Sequence, residues 1–463
     1  MTRGELNLIR IASTVALGGF LVGFDATVIS GAVPFIRDYF DLGGSAGSLK
    51  LGWAVSCLGW GAMAGNLAAG PLSDRLGRRS VLLITAVLFL ASSLTAALAT
   101  RFPVFVAARI CGGLAVGAAI LTAPVYIAEI APARSRGSLV SLNQLMIVIG
   151  ISVSFFSNYF LLSTGANSWR WMLGVQAAPA ALYFALLILV PESPRWLLSK
   201  GRAAAAGAAL AVVHGPAGAA HELEVMQATL AEKSRHFGVR ELFTGRLKRV
   251  LIFGLGIAFF QQATGINAIF YYLPTIFAQA GGELSTSFAQ SVIVGLVNVG
   301  MTFVAIWLID RLGRKPLLVI GLVGATLSLL TISWAFHAQG LPGVDSHVSH
   351  ANVVLVAIIA YVASFAISLG PVMWVMLSEI FPNEERAAAI SVVGFWNSLV
   401  SASVTLLFPT ELAAWGPAGT FLAYGLLAAA GLVFIVMLAP ETKGKTLEEL
   451  EGILTQPKQA LGS

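Results

Sequence analysis

The stretch GPLSDRLGRRS, residues 70–80, comes back as DRLGRKP at residues 310–316. It does not recur alone. AEIAPARSRG, residues 128–137, returns as SEIFPNEERA at 378–387, and PESPR, residues 191–195, returns as PETKGK at 440–445. The offsets are 236, 250 and 249 residues. Three short motifs in the same order at a nearly constant offset mark a chain made of two similar halves. Parallel halves of this kind build transporters whose substrate site lies between them near the bilayer midplane.

The composition around these motifs agrees. Of 463 residues, 57% are hydrophobic and 11% charged, and the mean hydropathy is +0.84. A soluble domain carries about 25% charged residues. Apolar runs begin near Ile9, Leu49, Ser80, Phe102, Ser138 and Trp169, and again near Val250, Ser287, Pro316, Asn352, Ala387 and Pro417. Each is close to the roughly 20 residues that span a bilayer as a helix. The expected fold is an all-α membrane protein of twelve transmembrane helices in two six-helix halves. The halves are residues 1–193 and 250–440, and 441–463 form a cytoplasmic tail. Between the halves, residues 194–249 hold GRAAAAGAAL and SRHFGVRELFTGRLKR, read as short cytoplasmic linker helices.

Charge counting sets the orientation. With the N-terminus inside, twenty-three of the 28 Lys and Arg fall in cytoplasmic loops and tails; Arg37, Lys50, Arg101 and Arg170 fall outside and Arg109 within a helix. This positive-inside bias places both termini in the cytoplasm. It also accounts for the net charge of +6 without nucleic acid as a partner. Cys57 and Cys111 lie in apolar runs and read as small core residues. The N-terminus shows no short apolar region followed by a small-residue cleavage site.

Within the twelve runs, away from their ends, the ionisable residues are Asp25, in LVGFDATVISG (residues 21–31), and Arg109. A carboxylate in mid-bilayer costs several kcal/mol unless paired or protonated. Counting residues at 1.5 Å each puts both groups on the order of 11 Å below the outer boundary, so the two are expected to meet. Either they form a structural ion pair, with Arg109 holding Asp25 ionised, or they form a proton switch that loads when they separate.

A second polar set suits a sugar, which offers hydroxyls and an apolar face to amides and aromatic rings. Gln261, Gln262 and Asn267 lie within seven residues in the seventh run. Adjacent residues diverge by about 100°, so all three share one face only if the helix unwinds near Gly265. Gln144, Asn298 and Asn397 add amides in other runs, and the tenth run offers a break at Gly370-Pro371 followed by Trp374. Membrane helices also use Asn and Gln simply as interhelical ties.

A third set recurs with the halves. Asp74, Arg75, Arg78, Glu129 and Arg136 match Asp310, Arg311, Arg314, Glu379 and Arg386, with Arg79 added in the first half, while Glu192 and Glu441 end the sixth and twelfth runs. Positive-inside anchors need no carboxylates at matching places. The set is expected to form a cytoplasmic latch of weak pairs, each about 0.2–1 kcal/mol, that opens in every cycle.

GFDATVISG, the DRLGRR pair, PESPRW, QQATGINAIFYY, GPVMWVMLSEIFP and PETKGKTLEEL together resemble the sugar porter family of the major facilitator superfamily. GPVMWVMLSEIFP is most similar to bacterial proton-coupled pentose and hexose members. The resemblance implies that Gln144, Gln261, Gln262, Asn267, Asn298, Trp374 and Asn397 contact the sugar. It implies that Tyr271 and Tyr272 form an outer gate, and that an acid at Asp25 accompanies proton symport. Two departures stand out. The family often has an amide followed by Trp in the eleventh helix, whereas here Trp396 precedes Asn397, and Val22 stands where relatives can have an aromatic residue.

The expected function is a proton-coupled monosaccharide symporter for a glucose- or xylose-like sugar, working by alternating access as a monomer in the inner membrane. Its partners are the sugar, protons and the lipid bilayer. The alternatives are a passive facilitator with a structural Asp25–Arg109 pair, a drug exporter, disfavoured by the absence of an acid in the central helices, and a sugar sensor, which usually needs a longer tail. No nucleophile–base pair, metal cluster or phosphate loop suggests an enzyme, and no cofactor or metal is implied.

Overall fold

The computed structural model of the chain describes residues 3–132, 135–231, 247–339, 347–381 and 385–443. The side chain of Asp310, residues 232–246 of the expected linker and residues 444–463 of the expected tail lie outside the described residues. In hydrocarbon every backbone N–H and C=O must be satisfied within the chain, and the apolar runs answer as helices. No strand occurs among the described residues.

The chain divides into two compact units, Met1–Gly43 with Trp53–Lys233, and Gly44–Gly52 with Ser234–Ser463. The first half of the chain holds α1 (Arg3–Tyr39), α2 (Gly44–Leu76), α3 (Arg78–Leu98), α4 (Phe102–Ile130) and α5 (Arg136–Leu161). It continues with α6 (Ser168–Gly174), α7 (Ala177–Ile188), α8 (Pro194–Ser199) and α9 (Ala203–Ala231). The second half holds α10 (Leu247–Ala263), α11 (Ile266–Gln279), α12 (Leu284–Leu312) and α13 (Arg314–Gln339). After these come α14 (His347–Ile367), α15 (Leu369–Ile380) and α16 (Arg386–Leu438).

Among the described residues, ten stretches are long and apolar enough to cross a membrane. Two features bring these to twelve segments. The Ala388–Leu438 stretch is two helices joined at Gly416, where φ is 67° and ψ 172°. The 33-residue α2 is rich in Gly and Ser, which dilutes its hydropathy. The same small residues let helices touch. Gly61 and Gly65 of α2 lie against the α4 backbone, and a Cβ on either would come within 2.4 Å of a carbonyl oxygen. Close approach of this kind supplies the van der Waals contact that drives helix association in lipid.

In the first unit Leu82, Phe89, Tyr126 and Tyr183 are buried in one core, and Val22 belongs to it. In the second, Met373, Met376, Phe381 and Val393 form another. The linker helices also differ from the sequence expectation. α9 runs 29 residues with a kink at Gly215, longer than the short helices expected.

The opening motif is a hinge between consecutive helices. α2 ends at Leu76 and α3 starts at Arg78; Gly77 between them has φ 96° and ψ 158°. Gly313 plays the same part between α12 and α13 with φ 91° and ψ 170°. This region of backbone space is essentially restricted to Gly. The turn points the first amides of the next helix at a carboxylate. Arg79 N–H donates to Glu192 Oε1 at 2.9 Å. In the second half Arg314 N–H and Lys315 N–H donate to Glu441 at 3.1 Å each. A helix N-terminus with free N–H groups and a positive dipole end favours an anion there.

A Cβ at Gly77 would also stand 2.3 Å from Glu192 Oε2. Gly77→Ala is therefore expected to cost about 1–3 kcal/mol and to lower the thermal midpoint of detergent-purified protein by several degrees. Gly137→Ala, where a Cβ meets nothing within 4 Å, is the control and should leave the midpoint unchanged.

Candidate functional site

Asp25 on α1 and Arg109 on α4 meet inside the first unit. Their side chains are 1% and 2% exposed. Arg109 Nη1 donates to Asp25 Oδ1, and Arg109 Nη2 donates to the Asp25 carbonyl at 3.1 Å. The guanidinium thus grips both the carboxylate and the backbone of the residue that carries it. Asp25 Oδ2 has no hydrogen-bond partner among the described residues. Removing one member of a buried pair leaves an uncompensated charge, a loss of about 3–5 kcal/mol. The pair is thus strongly held yet has one carboxylate oxygen in reserve.

The amides of the seventh segment lie in the second unit. α10 ends at Ala263 and α11 begins at Ile266. Gly265 between them is left-handed, with φ 86° and ψ 16°. This break turns residues on opposite helical faces toward one another. Asn267 Nδ2 donates to Gln262 Oε1 at 2.9 Å and to Ser401 Oγ at 2.7 Å. Gln262 Nε2 donates to Asn397 Oδ1 at 3.2 Å, and Asn397 Nδ2 to Gln261 Oε1 at 2.7 Å. Gln261 Nε2 in turn donates to the Leu369 carbonyl at 2.7 Å. Four amides and a hydroxyl form one connected network that crosses the break.

The reversed Trp396-Asn397 order has a structural reading. Trp396 Nε1 donates to the Leu255 carbonyl at 3.1 Å and ties α16 to α10, leaving Asn397 to join the amides. The break in the tenth segment falls at Ser368, between α14 and α15, rather than at Gly370-Pro371. Pro371 sits in the first turn of α15, where its missing N–H costs nothing.

The other expected contacts stand apart from the network. Asn298 is buried on α12, Trp374 on α15 is 42% exposed, and neither bonds to the amides among the described residues. Gln144 is exposed on α5 in the first unit. Tyr271 is half-buried, and Tyr272 is buried with its ring centroid 5.0 Å from that of Phe408.

The charge sets close within each half. Arg78 bonds Asp74 Oδ1 and Glu129 Oε1, each at 3.1 Å. In the second half Arg314 Nη2 bonds Glu379 Oε1 at 2.7 Å. Arg136 is exposed at the start of α5, and Arg386 Nε donates to the Phe381 carbonyl at 3.3 Å.

Sequence reasoning passed over two hydroxyls here. Ser193 Oγ donates to Glu129 Oε2, and Thr442 Oγ1 donates to Glu379 Oε2 at 2.5 Å. They occupy the same place in PESPR and PETKGK, a signal available from the repeat. Ser401 and Glu411 were also passed over; no repeat marks either.

Among these carboxylates Glu441 has a lowered proton affinity. Burial alone would raise its pKa, but backbone N–H groups of Lys443, Arg314, Lys315 and Thr442 outweigh that and hold it below the ordinary 4.5. A depressed folded pKa contributes stability above the unfolded value, lost as pH falls through the folded one. Glu441→Gln should therefore lower the thermal midpoint at pH 7. The gap from wild type should stay open down to about 4.5 and close below it. A gap independent of pH would contradict this.

Comparison with known proteins follows the same lines. The profile of the family described as Sugar (and other) transporter matches residues 11–454. The D-xylose-proton symporter of Escherichia coli K12 is 37% identical over 480 residues, covering 96% of this chain and 95% of that one. The glucose transporter GlcP of Staphylococcus epidermidis is 37% identical, covering 94% and 95%. The inward open structure of the xylose transporter XylE from Escherichia coli superposes with a TM-score of 0.82 at 35% identity, covering 96% of this chain and 99% of that one. These relatives are transporters rather than enzymes. With its repeated motifs and helical membrane segments, the chain is a multi-pass membrane protein that belongs to the sugar porter family of the major facilitator superfamily.

Proposed function

We propose that this protein is a proton-coupled monosaccharide symporter working by alternating access. The observation that carries the reading is the buried Asp25–Arg109 pair with its unpartnered Asp25 Oδ2. An ionisable acid inside a membrane segment is a functional group by default. Here the acid is paired while Arg109 is close. When the pair separates, burial favours the neutral acid, and Asp25 takes up a proton. Relatives whose names state proton symport, for D-xylose and for arabinose, support the coupling.

The sugar is taken by the amides Gln261, Gln262, Asn267 and Asn397, joined by Asn298, Trp374 and Gln144. Amides both donate and accept, which suits neutral hydroxyls. Tyr271 and Tyr272 serve as the outer gate. Both termini lie in the cytoplasm, on the positive-inside count, and the inner membrane is the site of action. The chain works as a monomer. The charged set of Asp74, Arg78, Glu129, Arg136, Asp310, Arg314, Glu379 and Arg386 biases the rocking of the halves through weak cytoplasmic contacts, a reading supported by the pairs of Arg78 with Asp74 and Glu129 and of Arg314 with Glu379. The second grip of Arg109, on the Asp25 carbonyl, favours the competing reading of a structural pair in a passive facilitator.

Uptake into proteoliposomes separates the two. With an alkaline interior, the wild type should concentrate labelled glucose or xylose above the outside level. Asp25→Asn should abolish that accumulation and retain sugar exchange. Wild type that merely equilibrates sugar, whatever the pH gradient, would establish the facilitator.

A further inference from the structure

Glu411 is an acid that the transport reading leaves without a task. It lies on α16, in the apolar Ala388–Leu438 stretch and five residues before the Gly416 break. That is roughly 7 Å along the helix axis. Across the break, Tyr424 is buried, and its hydroxyl donates to Glu411 Oε2 at 2.7 Å.

The Tyr424 ring rests on the left-handed turn of the seventh segment. A Cβ at Gly265 would stand 2.4 Å from Tyr424 Cε2. The neighbouring residue is held from another helix. The Tyr361 hydroxyl on α14 donates to the Thr264 carbonyl at 2.9 Å and lies 3.1 Å from Thr264 Oγ1. Two tyrosines therefore bracket Thr264-Gly265. Tyr361 is tied to the turn itself. Tyr424 meets it by ring packing, with Phe408 and Phe421 beside the ring, and its one hydrogen bond among the described residues is to Glu411.

A backbone carbonyl could satisfy a buried tyrosine. A carboxylate accepts a stronger hydrogen bond. The turn it reaches separates Gln261 and Gln262 from Asn267, so its geometry sets the spacing of the amide network.

We propose that Glu411 is a positioning residue for the sugar site: by accepting the Tyr424 hydroxyl it fixes the ring that seats the Gly265 turn, and so sets the amides on either side of it. The proposal rests on reading the amide network as that site.

Counterflow exchange of labelled D-xylose and D-glucose in proteoliposomes tests it. Tyr424→Phe and Glu411→Leu should each raise KM about five- to tenfold, with Vmax within about twofold of wild type. Glu411→Gln, whose amide oxygen still accepts the hydroxyl, should restore KM to within about twofold. The double variant Tyr424→Phe/Glu411→Leu should be no worse than the worse single, because both remove one interaction. A Glu411→Leu KM equal to wild type, a Glu411→Gln variant as impaired as Glu411→Leu, or effects that multiply in the double variant would each overturn the role. If Glu411→Leu does not fold, Tyr424→Phe with Glu411→Gln decides: the first must raise KM and the second must not. Gln262→Ala separates the layers. Wild-type KM in that variant sinks the amide-site reading itself. Lost affinity there with an unaffected Tyr424→Phe sinks the positioning role alone.

Discussion

Hydrocarbon offers a polar group no partner except other parts of the chain, and this protein is organised around that scarcity. Asp25 and Arg109 are its sharpest expression. Neither belongs in a bilayer, and each is accepted because the other lies at the same depth. The guanidinium holds one carboxylate oxygen and the carbonyl of the same residue, so α1 and α4 are locked at one level. An interaction so costly to break is also one whose breaking has large consequences.

The same constraint explains where the helices stop. Interrupting a helix in a membrane exposes backbone groups that must be satisfied again. At Gly265 the Thr264 carbonyl takes the Tyr361 hydroxyl, and the Gly265 amide donates back to Gln262 O at 2.9 Å. The break then does what an unbroken helix cannot. It brings Gln262 and Asn267, five residues apart, into direct contact and lets both reach α16. The result is a patch of neutral donors and acceptors without net charge, matched to hydroxyls rather than to ions.

At the helix ends the logic is duplicated. Each half has a glycine hinge, an arginine gripping a glutamate, a hydroxyl on that glutamate and a second glutamate on the next helix start. In the first half these are Gly77, Arg78, Glu129, Ser193 and Glu192; in the second they are Gly313, Arg314, Glu379, Thr442 and Glu441. The near-constant offset of the repeated motifs is thus the trace of one arrangement used twice. Glycine is required at both hinges because the backbone there lies in a region other residues avoid.

The sequence by itself determined the class of the molecule and much of its chemistry. Hydropathy and motif spacing are linear properties, so twelve segments, two halves and the sugar porter likeness were legible in it. So were the meeting of Asp25 with Arg109 and the unwinding at Gly265, because depth and helical phase can be counted along a chain. What could not be counted was decided in three dimensions. The break at Ser368 rather than at Gly370-Pro371, the ties made by Trp396 and the joining of Ser401 to the amides depend on which helix packs beside which. Glu411 reads as the end of a helix until Tyr424 is seen to bring it to the Gly265 turn. Local pattern specifies what each segment is, whereas the partner that satisfies a buried polar group is chosen by packing between segments far apart in sequence.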